Sequence, residues 1–108
     1  MDKVNEYLNR TRNTRTFEDG YVMEGVRPAI RCKDGFQISV QASEFHYCSP
    51  RINGADKYKS VELGFPNYED LLILPYAEDP CNPTHSIYGN VPIEIVNELI
   101  EKHGGIVN

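Results

Sequence analysis

Phe36, Ile38, Val40 and Ala42 alternate with Gln37, Ser39, Gln41 and Ser43. This two-residue period is that of a strand with one buried face. Asp34-Gly35 precedes it and Ala29-Ile30-Arg31-Cys32 comes before that pair, so the stretch predicts a hairpin turning at Asp-Gly, with Pro28 at the start or edge of its first strand. After a second turn at residues 52–56, Tyr58 to Phe65 predicts another strand. Val61, Leu63 and Phe65 share its inner face, and Lys57, Lys59 and Glu62 lie toward solvent or an edge. A short strand is expected from Ser86 to Val91.

Helical spacing marks both ends of the chain. Asp2 is placed to cap a helix reaching about Arg10, with Val4, Tyr7 and Leu8 on one face. Near the other end, Pro92 suits a first helical position, and Ile93, Val96, Leu99 and Ile100 follow as an apolar stripe. Lys102 and His103 complement the helix dipole there, and Gly104 supplies a C-cap. Residues 11–25 are polar and turn-rich and read as a connector. Pro66-Asn67 breaks the central strand, and Tyr68 to Leu74 predicts one or two helical turns capped by Asn67. Residues 75–85 carry three prolines and exclude regular helix. The sum is one α+β domain spanning 1–108, with residues 1–25 as helix and connector and 26–108 as the main body. Its small antiparallel sheet has three to four strands. Val61, Leu63, Phe65, Val96 and Leu99 are expected in the core, with Tyr7, Phe17 and Tyr21 as packing anchors.

Composition narrows the setting. A chain of 108 residues buries only about two-thirds of its unfolded surface, so self-association would help it, and a homo-oligomer is expected. No apolar run approaches the ~18 residues of a membrane span, and MDKVNEYLNR lacks the apolar segment of a secretion signal. The expected location is the cytosol. Cys32, Cys48 and Cys81 are an odd number, which points to reduced thiols rather than a disulfide framework. The net charge of −5 argues against duplex nucleic acid as a partner. The charge is uneven, however. Residues 1–33 hold seven bases against five acids, and the remainder holds four bases against eleven acids.

The candidate chemistry lies in SEFHYCSPR, residues 43–51, where an acid, two aromatics, a histidine, a thiol and an arginine crowd the end of a strand. His46-x-Cys48 and Cys81-x3-His85 lack the paired spacing of a structural zinc site, so no metal is expected. Cys48 has histidines elsewhere in the chain as potential bases, but no nucleophile signature surrounds it. Phosphate loops, dinucleotide glycine motifs, serine elbows and paired carboxylates are absent from the sequence. No cofactor and no enzymatic activity are therefore expected. Arginine with aromatics is the more productive combination: a guanidinium grips phosphate through two donors, and a flat ring stacks on a base. Tyr47 and Arg51, with Tyr76, Tyr88 and Asn90 from the later loop and strand, form the candidate ligand set. Asn90 is included because asparagine can pair with an adenine edge. Arg10, Arg12 and Arg15 form a second candidate anion site.

QASEFHYCSPR, VELGFPN and YGNVPIEIVNELIEKHGGI together resemble small proteins of phages and prophages of clostridia and related Firmicutes, over roughly residues 26–106. Within that group the chain is most similar to the first Thoeris anti-defence family. The resemblance implies an α+β sponge, assembled as a dimer or hexamer. Such a sponge sequesters cyclic ADP-ribose signals made by bacterial TIR proteins without cleaving them, and some members also hold cyclic trinucleotides at a separate site. It implies action in the host bacterial cytoplasm. No ligand motif of that family carries over residue by residue. The main alternative is a phage inhibitor that binds a bacterial defence effector directly, as an anti-CRISPR does.

Overall fold

Asp2 caps the first helix as its spacing predicts: its carboxylate accepts from the Asn5 backbone N–H at 3.0 Å. The computed structural model describes residues 2–108. Helix α1 spans Lys3–Arg10 and buries Val4, Asn5, Tyr7 and Leu8. The expected connector then proves to be a hairpin, with β1 at Thr14–Thr16 antiparallel to β2 at Val22–Glu24. The main sheet follows, with β3 at Ile30–Arg31, β4 at Gln37–Gln41, β5 at Ser60–Gly64 and β6 at Ile87–Pro92. Its order is β3-β4-β5-β6 and each neighbouring pair is antiparallel. Helix α2, Ile93–Lys102, leaves β6 directly, with Pro92 at its N-cap rather than inside its first turn. The fold is α+β.

One core joins the elements. Val4, Tyr7 and Leu8 from α1 meet Ile38, Val40, Val61 and Leu63 from the sheet and Val96, Leu99 and Ile100 from α2. Each fully buried side chain of this kind contributes about 1.5–3 kcal/mol. Asn97 ties the helices together, accepting from the Val4 backbone at 3.0 Å and donating to Asp2 at 3.1 Å. Both edges of the main sheet are covered. Cys32, just past β3, bridges to Ile106, and Val107 donates to the Arg31 carbonyl at 2.8 Å. At the other edge Ala77 bridges to Tyr88, and Glu78 donates to the Ile87 carbonyl at 2.9 Å.

Four details differ from the sequence pattern. Phe65 leaves the inner face, because its φ of +52° swings the side chain outward to 61 % exposure. Asn67 caps no helix. Its side chain accepts from the Gln37 N–H and donates to the Gly35 carbonyl, closing the β3–β4 turn instead. Tyr68 to Leu74 forms turns that lead into a 3-10 segment at Leu74–Tyr76, not an α-helix. Phe17 and Tyr21 are exposed rather than buried anchors; their rings lie 5.9 Å apart on the hairpin.

The far end of α2 is fastened by His103. Its Nδ1 lies 2.6 Å from Asp34 and its Nε2 lies 2.8 Å from Asp70, and the ring stacks on Phe36 at 4.0 Å. Lys102 also reaches Asp70, at 3.0 Å. Burial alone would raise the Asp70 carboxyl. Bonds from the Leu72 N–H, His103 and Lys102 outweigh it and hold the group below its ordinary value. Asp34 is held low by the Phe36 N–H and then by His103. A carboxyl depressed in the folded state stabilises the fold above its unfolded pKa, and that contribution is lost as pH falls through the folded value. The contribution of Asp34 and Asp70 to thermal stability should therefore be constant from neutrality down to about pH 5 and be lost as pH falls below the ordinary carboxyl value of 3.8. Asp70→Asn should lower the neutral-pH melting temperature and flatten that acid slope. An unchanged slope would show that Asp70 is not among the groups responsible.

Candidate functional site

The loop after β4 winds around Ser43. The Ser43 hydroxyl accepts from the Phe45 N–H at 3.1 Å and meets His46 Nδ1 at 2.7 Å, and its carbonyl accepts from the Cys48 thiol at 3.2 Å. This winding turns Tyr47 back toward the sheet. The Tyr47 N–H donates to Glu62 at 3.1 Å, and its carbonyl accepts from the Asn90 N–H at 3.0 Å. Gly89 makes room for it: a Cβ there would stand 3.4 Å from the Tyr47 Cβ. Asn90 itself has a φ of +50°, a left-handed conformation that asparagine tolerates better than most residues.

Arg51 follows and lies over the Tyr47 ring, its guanidinium carbon 5.3 Å from the centroid. Its Nε donates to the Glu44 carbonyl at 3.0 Å. The two terminal nitrogens make no hydrogen bond among the described residues, and Tyr47 keeps 46 % of its surface exposed. The structure thus brings together Tyr47 and Arg51; Asn90 joins them through its backbone only, and its side-chain oxygen accepts from the Ser60 hydroxyl at 3.4 Å. The fold separates Tyr88, which is fully buried with its hydroxyl donating to the Pro83 carbonyl at 2.5 Å. Tyr88 is therefore a core residue and not a stacking platform, because alternation along β6 puts Gly89, not Tyr88, under Tyr47. Tyr76 sits on the Leu74–Tyr76 turn and packs against the core.

The three N-terminal arginines do not converge within the protomer. Arg10 donates to the Asn108 carbonyl at 3.1 Å and covers the Tyr7 ring at 5.1 Å. Arg12 donates to Asn9 at 2.8 Å and to the Ala55 carbonyl at 2.7 Å, and its Nε lies 3.3 Å from Glu24. Arg15 stands exposed on β1, opposite Met23. Their closeness in sequence is undone by the change from helix to strand between them.

Sequence reading missed the residues that hold this region in place. Arg27 is buried, donating to the Leu8 carbonyl at 3.0 Å, the Ala42 carbonyl at 3.1 Å and Glu24 at 2.5 Å. Glu24 is buried too and also accepts from the Gly54 N–H at 3.0 Å. The Glu24-x2-Arg27 spacing was the available signal, but charged residues carry a strong prior for the surface.

Neither cysteine chemistry nor metal binding gains from the geometry. Burial pushes the Cys48 thiol above its ordinary value and the Cys32 thiol to about 11, opposite to what a nucleophile needs. Burial also lowers the His46 imidazole. Among the described residues no three His, Cys, Asp or Glu side chains are grouped to hold a metal ion, and no helix is long and apolar enough to cross a membrane. A groove of about 510 Å³ opens beside Ser49 and Pro50, flanked by Lys57, Lys59, Asp2 and Glu94. Its two bases and two acids balance, and Tyr47 and Arg51 stand outside it. No protein-family model, curated protein or solved structure matches this chain.

Proposed function

We propose that the protein sequesters a cyclic nucleotide signal of the cyclic ADP-ribose type without cleaving it, as a homo-oligomeric phage anti-defence protein in the host bacterial cytoplasm. The observation that carries this reading is the Arg51–Tyr47 pair. Arg51 is anchored through one nitrogen at Glu44, and its remaining donors face outward beside a half-exposed ring. That arrangement suits a phosphate on the free guanidinium donors, with a base against the exposed edge of the ring, since Arg51 lies over the ring and Gly89 packs close to it. The pair lies on an open face, and in the proposed homo-oligomer a second subunit would supply the opposite wall. Incubation with cyclic ADP-ribose isomers, removal of free solute and heat denaturation should release an intact ligand. Release of an altered compound would instead establish an enzyme.

A second reading is direct inhibition of a defence effector. Phe17, Tyr21, Val22, Phe45 and Ile52 are 41–61 % exposed on the hairpin and the adjoining loop, and clustered exposed apolar side chains mark protein-contact surfaces. No ligand retention, together with co-elution of a purified effector, would favour this reading over the first.

A further inference from the structure

Arg51 is tethered to a residue that is itself an acid. Glu44 offers its carbonyl to Arg51 Nε at 3.0 Å, and its own N–H donates to the Asn53 side chain at 3.0 Å. A glutamate placed this close to a guanidinium is the natural competitor of any anionic ligand. Yet no ion pair joins Glu44 to Arg51 among the described residues. The Glu44 carboxylate turns the other way and accepts the Tyr21 hydroxyl from the β1–β2 hairpin.

The hairpin is built to present that hydroxyl. The Tyr21 N–H donates to Asp19 at 2.9 Å, and the Tyr21 carbonyl accepts from the Phe17 N–H at 2.8 Å. Asn53 donates to the Val22 carbonyl at 3.3 Å and Gly54 donates to Glu24 at 3.0 Å, so the hairpin grips the far end of the Arg51 loop as well. The hydrogen bond to Glu44 raises the Tyr21 phenol above its ordinary value, although a phenol is a donor at neutral pH even unshifted. We propose that Tyr21 is a positioning residue that draws the Glu44 carboxylate away from Arg51 and keeps the guanidinium open to an anionic ligand. The proposal rests on the nucleotide reading of the Tyr47–Arg51 face.

Titration calorimetry with cyclic ADP-ribose tests it in wild type, Tyr21→Phe, Glu44→Gln and the double variant. Tyr21→Phe frees the carboxylate to pair with Arg51 and should weaken binding about 2- to 5-fold, the scale of an exposed ion pair. Adding Glu44→Gln to Tyr21→Phe should restore wild-type affinity, because the competing charge is gone. A Tyr21 that merely braces the hairpin would leave the double variant as weak as the single one, and that result overturns the proposal. A second readout needs no ligand. The Arg51 Nε–H resonance should shift in Tyr21→Phe and return in the double variant, and superimposable spectra would overturn the proposal as well. If wild type retains no cyclic ADP-ribose, the nucleotide reading fails, and the resonance alone decides whether Tyr21 controls Arg51.

Discussion

Glu24→Ala should cost about 3–5 kcal/mol of stability, because it strands the buried Arg27 guanidinium without its counter-charge. That is a large fraction of the ~5–15 kcal/mol that holds a domain together. Arg12 loses its nearest carboxylate in the same step, and the Gly54 N–H loses its acceptor. Urea denaturation should show a much lower midpoint with an unchanged slope. The double variant Glu24→Leu/Arg27→Met removes both charges and should be less destabilised than Glu24→Ala alone. Breaking a buried pair costs more than replacing it by apolar groups of similar volume. If the double variant is the weaker one, the Arg27 contacts to the Leu8 and Ala42 carbonyls matter more than its ion pair.

Arg51→Ala should weaken retention of cyclic ADP-ribose by about 10- to 150-fold, the value of a charge-assisted bond of ~1.5–3 kcal/mol. Its melting temperature should stay close to that of wild type, since the side chain is exposed and makes one backbone contact, to Glu44. Arg51→Lys separates charge from shape: a lysine keeps the charge but loses the fork. Intermediate affinity in Arg51→Lys would indicate that the planar geometry contributes. Wild-type affinity in Arg51→Ala would remove this face from consideration as the ligand site.

The main elements were legible where burial alternates regularly. Ile38 and Val40 point inward with Gln37 and Ser39 outside, and the apolar stripe of α2 needs no partner to be recognised. The β1–β2 hairpin was illegible for a physical reason. Thr14-Arg15-Thr16 is wholly exposed, so no apolar period marks it; its partner strand is fastened by a buried charge at Glu24. Phe65 shows the converse failure: the apolar pattern continues while the backbone turns left-handed and breaks it. In the candidate site, Tyr47 and Arg51 could be grouped by their chemistry and closeness in sequence, but the seating of one over the other could not be read. The withdrawal of Glu44 by Tyr21 could not, because it joins residues from two elements, one of which had no sequence signature.

The covered edge of β3 bears on how the protein is made. The cover is residues 106–108: Ile106 bridges to Cys32, Val107 bonds Arg31, and Asn108 donates to the Ala29 carbonyl and accepts from the Arg31 N–H. The N-terminal helix waits almost as long, since Val4 finds its partner in Asn97. A chain emerging from the ribosome thus exposes an unfinished sheet and an undocked first helix until residues 97–108 have followed. Assembly is governed by contacts distant in sequence, which form slowly. During that interval the nascent chain offers an open strand edge to its neighbours, and the arrival of residues 106–108 at β3 ends that exposure.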